Sequence, residues 1–345
     1  MTNKTNVTEE AIAFKLGRLC KPPGSLGEIE SVASQLCRIQ DSLTPLTRPR
    51  HVAIFAADHG VVREGVSAWP SEVTAAVVNV MQHGRTASGV FAKSLDCGYE
   101  VVDVGLLSPV LGENPKIVQA ASRRGTGNIL LDAAMSTSDF EHAWSVGETR
   151  AKFACKAGNV LLIGGEMGIG NTTAASCIIG LLANAAPDSI VGRGAGIGDA
   201  GFERKLGIVK STIQRVRSLG ILAPKEIAAQ VGGLEIVALA GFYSEGARRG
   251  ATLLVDGLIA TSAALIACSI NSSVGMRMIA GHRSTEPGHA AALEHLGLNP
   301  LLNLQMRLGE GTGALAALPI LDLAAAMLQN MATLDELSLG DSKHE

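Results

Sequence analysis

The stretch NVLLIGGEMGIGNTTAAS, residues 159–176, begins as an apolar strand, passes through a glycine-rich turn and ends as the start of a helix. Such turns commonly hold an anion, because the unpaired amides and the positive dipole end of the helix point towards it. No Gly-Lys-Ser/Thr follows, so the stretch fails the P-loop pattern. An ordinary strand-to-helix turn capped by Asn or Thr is the alternative interpretation. If the turn holds a phosphate, its candidate ligands are Gly168, Gly170, Asn171, Thr172 and Thr173.

The same order of apolar strand, glycine-rich loop and alanine-rich helix recurs along the chain. It starts again near residues 51, 250 and 274, and a further apolar strand begins near residue 99. This alternation predicts an α/β fold with a parallel sheet and helices on both faces. Right-handed crossovers bring the loops that follow the strands to one rim of the sheet, where ligands bind in such folds.

Composition narrows the class of protein. The chain of 345 residues is too long for one small core and predicts a large domain with a minor one, or two domains. A net charge of −3 and an aromatic content of 3% argue against a nucleic-acid partner. The six cysteines form no C-x-x-C pair, which favours a reducing cytoplasm over a disulfide framework or a zinc site.

No membrane partner is expected either. The N-terminal residues contain no apolar segment typical of a signal peptide. The most membrane-like run, residues 251–270, is interrupted by Asp256 and Gly257, so it predicts a strand, a turn and a helix instead of a transmembrane segment.

Residues 191–205, VGRGAGIGDAGFERK, form a second glycine-rich loop. The letters GIGDAG match G-x-G-x-x-G, but no clear βαβ unit surrounds them, so a dinucleotide fingerprint is not favoured. A flexible flap that brings Arg193 or Lys205 to a phosphate is one interpretation. A loop with a solvated charged end is the other.

Residues 55–74, FAADHGVVREGVSAWPSEVT, follow a predicted strand with an Asp-His pair. One pair supplies too few ligands for a metal centre, so Asp58 and His59 are predicted to organise their loop through hydrogen bonds. Trp69 is one of only two tryptophans. It could belong to the core or form a flat apolar wall for a ring, and the sequence favours neither.

Residues 280–289, AGHRSTEPGH, contain His282, Glu286 and His289, a set that invites a metal interpretation. Pro287 and the glycine after it break the helix that would align the histidines, so the H-E-x-x-H mechanism does not apply. A polar rim loop that holds substrate groups is the better prediction.

Glu310 stands between two glycines just before a long apolar helix. Burial in apolar surroundings would raise its pKa towards the range that a general base needs. The positive end of the helix dipole would lower the pKa instead. The sequence leaves this competition open.

Taken in order, these segments resemble the nicotinate-nucleotide–dimethylbenzimidazole phosphoribosyltransferases of cobalamin biosynthesis. The resemblance covers about residues 16–328. It is carried by KPPGSLG, ADHGVVREGVSAWPSEVT, GGEMGIGNTTAA, GRGAGIGD, DGLIATSAAL, GHRSTEPGH and RLGEGTGA.

The resemblance implies a Rossmann-like parallel sheet of about six strands, with helices on both faces, in a cytoplasmic homodimer. A large catalytic domain is expected over residues 46–300, and a small helical domain from residues 1–45 and 301–345. The implied reaction transfers phosphoribose from nicotinate mononucleotide to 5,6-dimethylbenzimidazole. It gives nicotinate and α-ribazole 5′-phosphate, inverts the anomeric carbon, and needs neither cofactor nor metal. Alternatives are transfer to another azole or a phenolic base, metal-dependent transfer from phosphoribosyl pyrophosphate, and a non-catalytic nucleotide-binding homologue.

The resemblance also implies roles for individual residues. Glu310 would be the base that deprotonates the benzimidazole. Glu166, the second catalytic residue, would lie near the ribose and accept hydrogen bonds from its hydroxyls or stabilise positive charge as the C–N bond loosens. Ser284 would contact the nicotinate end. Phosphate and ribose contacts are expected from Gly168, Ile169, Gly170, Asn171, Thr172, Thr173, Arg193, Gly194 and Lys205, and benzimidazole contacts from Trp69, Met306 and Leu308.

Overall fold

The computed structural model describes residues 7–110 and 116–337. The chain divides into two compact units. The larger one runs from Pro49 to Ala317, and the smaller one combines the residues up to Arg48 with those from Leu318 onward. Residues 301–317 therefore belong to the larger unit, whereas the expected domain boundary lay at residue 300.

A sheet of parallel strands forms the centre of the larger unit. Its strand order is β3-β2-β1-β4-β5-β6-β7, so the order reverses between β1 and β4. In register, Ile54 of β1 lies beside Val101 on one side and Gly165 on the other. The strands are β1 Arg50–Ala57, β2 Gly98–Gly105, β3 Val118–Gln119, β4 Leu161–Met167, β5 Thr252–Val255, β6 Met278–His282 and β7 Pro300–Leu302.

The predicted α/β class with a parallel sheet is confirmed, but the expected strand number of about six is too low. The sheet of the described residues has seven strands. Its outermost members, β3 and β7, are only two and three residues long. The number of about six came from the family resemblance; the strand patterns in the sequence did not predict β3 and β7, because such short edge strands leave no periodic pattern.

Helices cover both faces of the sheet. Strand β1 is buried almost throughout, as expected for a strand covered on both faces. The helices are α1 Glu9–Gly17, α2 Glu28–Gln40, α3 Glu72–Met81, α4 Ala87–Ser94, α5 Thr137–Lys156, α6 Asn171–Leu182, α7 Pro187–Ile190, α8 Asp199–Ser218, α9 Pro224–Val231, α10 Leu234–Arg248, α11 Leu258–Ile270, α12 Pro287–Leu296 and α13 Thr312–Asn330.

Hydrogen bonds between distant parts of the chain join the smaller unit. The amide of Cys20 donates to the carbonyl of Ala332 at 2.8 Å, and that of Leu334 donates to the carbonyl of Arg18 at 2.7 Å. Both ends of the chain thus contribute to this unit, which contains α1, α2 and the later part of α13.

The membrane-like run at residues 251–270 folds as β5, a turn and α11, as the sequence predicted. In the described part of the chain, only α13 has the length and apolar composition that crossing a membrane requires. Of its most apolar window, 61% is buried inside the protein, which is typical of a core helix.

Candidate active site

A cavity of about 520 Å³ opens at the carboxyl ends of β1, β4, β5 and β6, where the strand order reverses. Ligands of doubly wound α/β proteins bind at this kind of topological switch point, and the volume suits a small organic molecule. Most of the predicted site residues line it: Trp69, Glu166, Gly168, Ile169, Gly170, Asn171, Thr172, Gly194, Ser284, Leu308 and Glu310.

The turn between β4 and α6 forms one side of the cavity. Gly170 precedes α6 with a φ of +92°, a left-handed conformation that glycine adopts without strain. The amide of Ile169 donates to the Thr74 hydroxyl at 3.1 Å, which ties the turn to α3. The N-terminus of α6, a helix of twelve residues, begins at the cavity and favours a bound anion.

Lys205 lies behind this turn and does not line the cavity. Its side chain is fully buried, and Nζ donates to the Thr172 hydroxyl at 2.9 Å and to the Gly192 carbonyl at 3.0 Å. Burial lowers the pKa of Lys205 to about 8, and the nearby Glu286 carboxylate opposes that shift. In this geometry Lys205 acts on the cavity through Thr172.

Three more of the predicted residues also lie outside the cavity lining. Thr173 is fully buried in α6. The Arg193 guanidinium pairs with Asp199 at 2.5 Å. The carbonyl of Met306 accepts a hydrogen bond from the Thr285 amide at 3.2 Å.

The segment from Gly309 to Gly311 has an unusual backbone. Gly309, Glu310 and Gly311 follow one another with φ values of +82°, +61° and +75°. Glu310 therefore holds a conformation that side-chain-bearing residues rarely adopt, a form of strain that is common at functional sites. A Cβ atom on Gly309 would clash with the Glu166 carboxylate.

Asp256, at the end of β5, holds this segment in position. Its Oδ2 accepts from the Gly311 amide at 3.1 Å, and its Oδ1 accepts from the Ala314 amide at 3.0 Å. The carboxylate thereby satisfies donors at the start of α13. His282 Nε2 lies 3.5 Å from Oδ1 of Asp256. Burial raises the pKa of Asp256, and His282 opposes this shift.

Two glutamate side chains face the cavity from different segments. Burial raises the pKa of Glu310, which answers the question that the sequence left open. Burial, reinforced by the charges of Glu235 and Asp256, raises the pKa of Glu166 to about 8. Asn171 Nδ2 and the amide of Glu310 donate to the Glu166 carboxylate. The Glu166 carboxyl can therefore exchange protons near neutral pH, and the pKa of Glu310 is shifted in the same direction.

Glu310 also has a partner that the sequence analysis missed. The Ser88 hydroxyl, on α4, donates to Glu310 Oε2 at 3.2 Å, although the two residues are 222 positions apart. A local pattern cannot reveal a contact over such a distance. The only available signal was the T-A-S start of a helix, which predicts capping and not a site.

The loop after β6 is organised around His289. Its Nδ1 accepts from the Ser284 amide at 2.9 Å, so Nε2 carries the proton and donates to the Thr261 hydroxyl at 3.0 Å. Burial lowers the pKa of His289 to about 3 and keeps the ring neutral. Glu286 Oε1 accepts from the Gly194 amide at 3.0 Å. In the described part of the chain, no group of three metal-ligating side chains converges.

A buried histidine–glutamate pair lies beneath the turn between β4 and α6. His59 Nε2 is 2.7 Å from Glu235 Oε1, and both side chains are fully buried. Burial alone would lower the pKa of His59, but the Glu235 carboxylate raises it overall. Asp58 Oδ2 accepts from the Leu107 amide at 2.8 Å. Asp58 and His59 thus form hydrogen bonds, and the partners cited here lie in the segment after β2 and in α10.

Apolar side chains complete the cavity. Trp69 and Leu308 line it together with Val73, Val77 and Ile259. Trp69 is 52% exposed and therefore does not belong to the core, so a wall for a bound ring stays the prediction for this residue. An aromatic heterocycle could stack or pack against this wall.

A helix N-terminus suited to phosphate, an apolar wall and two carboxyl groups with raised pKa values thus meet at one sheet edge. This arrangement defines a nucleotide-binding α/β protein equipped for proton transfer. The chain belongs to the phosphoribosyltransferase family DBI_PRT, whose model matches residues 2–338.

Similar proteins share a more specific name. Proteins called nicotinate-nucleotide–dimethylbenzimidazole phosphoribosyltransferase are 46% identical in Chromobacterium violaceum and 42% identical in Thermus thermophilus. The first match covers 92% of each chain, and the second covers 94% of this chain and 95% of the relative. The crystal structure of CobT from Thermus thermophilus superposes with a TM-score of 0.91 at 42% identity, covering 96% of this chain and 98% of that one.

Proposed function

We propose that this protein transfers the 5-phosphoribosyl group of nicotinate mononucleotide to 5,6-dimethylbenzimidazole. The products are α-ribazole 5′-phosphate and nicotinate. The observation that carries the proposal is the meeting of Glu310, the β4–α6 turn and an apolar wall at one cavity. Relatives with that enzyme's name, 46% and 42% identical over more than nine-tenths of the chain, support the same substrates.

Glu310 acts as the general base in this proposal. It removes the proton from one ring nitrogen of the benzimidazole, and the lone pair of the other nitrogen attacks the anomeric carbon of the ribose. Attack opposite the departing nicotinate inverts that carbon and converts a β-nucleotide into an α-riboside. The raised pKa of Glu310, which results from burial, supports this role, because a base is most effective when its pKa is near the working pH.

The turn after β4 binds the 5′-phosphate of the nucleotide. Asn171 and Thr172 line the cavity at the N-terminus of α6, where an anion gains from the helix dipole. Lys205 supports Thr172 from behind through its 2.9 Å hydrogen bond. A monoester phosphate held in this way needs no lysine of the kind that polarises a triphosphate.

Glu166 faces the ribose and the nicotinate ring. Its pKa of about 8 means that the free protein holds it mostly protonated at neutral pH. The positive pyridinium of the bound nucleotide favours its ionised form, which then stabilises positive charge as the glycosidic bond loosens. The nicotinate leaves as a neutral ring bearing its carboxylate, so the leaving group needs no acid. This chemistry requires neither a cofactor nor a metal.

The decisive experiment incubates the purified protein with nicotinate mononucleotide and a panel of azole and phenolic bases. Mass spectrometry of the products detects the ribotide, and NMR of the anomeric proton distinguishes the α anomer from the β anomer. We expect α-ribazole 5′-phosphate to form fastest from 5,6-dimethylbenzimidazole. A parallel assay with phosphoribosyl pyrophosphate and Mg²⁺ should give no product. Transfer only from the pyrophosphate, or no turnover with any base, would refute the proposal.

The resemblance also leads us to infer a homodimer in the cytoplasm. Free cysteines, including the buried Cys37, Cys97 and Cys177, are compatible with a reducing compartment. Sedimentation of the purified protein tests the dimer, and fractionation of cells tests the location.

A further inference from the structure

Three hydroxyl groups lie directly behind the Glu310 carboxylate. They belong to Thr86, Ser88 and Tyr99, which we call the hydroxyl cluster. Ser88 is fully buried, whereas Thr86 and Tyr99 are half-buried. None of the three lines the cavity, so they do not compete with a substrate for space.

The cluster donates hydrogen bonds to the Glu310 carboxylate. The Ser88 hydroxyl donates its only proton to Glu310 Oε2 at 3.2 Å, and the Thr86 hydroxyl is placed to donate to the same carboxylate. The Ser88 oxygen lies 3.0 Å from the Thr86 hydroxyl and 3.3 Å from the Tyr99 hydroxyl and can accept a hydrogen bond from its neighbours. Hydroxyl protons that point towards Glu310 suit an ionised carboxylate.

The backbone of α4 adds to this arrangement. Thr86 precedes the helix, and Ser88 belongs to its first turn. The Ser88 amide donates to the Glu310 carboxylate as well. Glu310 thus accepts hydrogen bonds from both the hydroxyl and the amide of Ser88, at the positive end of a helix that lies far away in sequence.

We propose that the hydroxyl cluster is a positioning element for the general base, which fixes Oε2 of Glu310 and leaves the other carboxylate oxygen for the heterocycle. The inference rests on the proposed function, because it assumes that Glu310 removes the proton. A carboxylate with freely rotating side-chain torsions would otherwise sample orientations that do not reach the ring nitrogen. The strained backbone at Glu310 and the fixed oxygen together define one direction of approach.

Opposing groups act on the ionisation of Glu310. Burial and the charge of Asp256 raise its pKa, whereas the hydrogen bonds from Ser88 and Thr86 lower it. Glu166 accepts from the Glu310 amide, and His282 lies on the far side of Asp256. Tyr99 is itself a weak acid whose pKa is raised by burial. Removal of the Ser88 hydroxyl should therefore move the ionisation of Glu310 to higher pH.

The test compares Ser88→Ala with Ser94→Ala, a matched control on the same helix whose exposed hydroxyl donates to the Phe91 carbonyl. For Ser88→Ala we expect the kcat to fall about tenfold on the acidic side of the pH optimum, because one hydrogen bond to a charged group is lost. The acidic limb of the pH profile of kcat/KM should shift to higher pH, while the KM for nicotinate mononucleotide stays unchanged. Ser94→Ala should match the parent.

Tyr99→Phe provides a second measurement, because it removes the hydroxyl and keeps the size of the ring. The acidic limb of its pH profile should shift in the same direction as that of Ser88→Ala, but by less. If Ser88→Ala does not fold, as judged by thermal melting, Tyr99→Phe decides alone. Parent-like pH profiles in the folded variants would overturn the inference while the proposed function stands. Absence of ribotide formation by the parent protein would instead overturn the proposed function.

Discussion

The carboxylate of Asp256 accepts a hydrogen bond from the amide of Gly311 at 3.1 Å, and this contact joins the end of β5 to the segment that carries Glu310. The same carboxylate accepts from Ala314 at the start of α13. Because Asp256 is buried, these bonds are not exchanged with water and hold the segment rigidly. The position of Glu310 is thus set by contacts with the sheet as well as by its own backbone.

Replacement of Glu310 by Gln should reduce the kcat about 10²–10⁴-fold, since the amide cannot accept a proton at neutral pH. Steady-state kinetics measures the kcat, and calorimetry measures nucleotide binding, which should persist. Glu294→Gln, at an exposed site on α12, serves as the control. An unchanged kcat in Glu310→Gln would remove this residue from the mechanism.

Nicotinate mononucleotide binding should release a proton below about pH 8, where the free protein holds Glu166 protonated. The positive ring of the nucleotide lowers the Glu166 pKa, so affinity should rise with pH until this group is ionised in the free protein. Calorimetry in buffers of different ionisation enthalpy counts the released protons. Glu166→Gln should abolish the release; equal release by both proteins would contradict the assignment.

Asn171→Ala and Thr172→Ala should each raise the KM for nicotinate mononucleotide about tenfold or more, the effect of losing one hydrogen bond to a phosphate. The KM for the benzimidazole should stay unchanged. Ser176→Ala is a suitable control, because this hydroxyl lies on the same helix, donates to the Thr172 carbonyl and does not line the cavity. If only the KM for the base responds, the phosphate lies elsewhere.

Gly309→Ala should abolish most activity because the added methyl group would meet the Glu166 carboxylate at a backbone φ of +82°. Gly297→Ala provides a control with comparable backbone strain. Its φ is +65°, and the space around the new methyl group is open. Thermal melting should reveal similar destabilisation, of about 1 kcal/mol, for both variants. Equal activity of the two would show that the Glu166 contact is irrelevant.

His59→Ala should lower the free energy of unfolding by about 3–5 kcal/mol, because it leaves the Glu235 carboxylate buried and unpaired. Denaturant titration measures the effect, and Lys225→Ala, which breaks the exposed pair with Glu141, should change little. The folded-state pKa of His59 is raised. The contribution of its positive charge to the free energy of unfolding is therefore fully present below the ordinary histidine pKa. It is lost as the pH rises through the raised pKa of the folded state. A pH-independent difference between His59→Ala and the parent would argue against an imidazolium.

The sequence was informative wherever local pattern sets structure. The strand–turn–helix order at residues 159–176 became β4 and α6 within a few residues of the expected positions. The interruption at Asp256 correctly indicated a turn. The short edge strands β3 and β7 were missed, because two or three residues carry no period.

Predictions for individual site residues came from the chemistry of their loops and from the resemblance, and only some of those residues line the cavity. Glu166 and Glu310 face one cavity, whereas Lys205 lies behind Thr172 and the Arg193 guanidinium pairs with Asp199. A motif reports which residues occur near one another along the chain. It does not report which side chains point into the cavity, since that depends on the packing of α8 and the loop before it.

The sequence by itself determined the alternation of strands and helices, the glycine-rich turns and the family, because periodicity and backbone freedom are properties of neighbouring residues. Only the tertiary structure decided the direction of the Glu310 pKa shift and the contact of Glu310 with Ser88. Desolvation and hydrogen bonding act through space, between groups that folding brings together from distant positions in the chain.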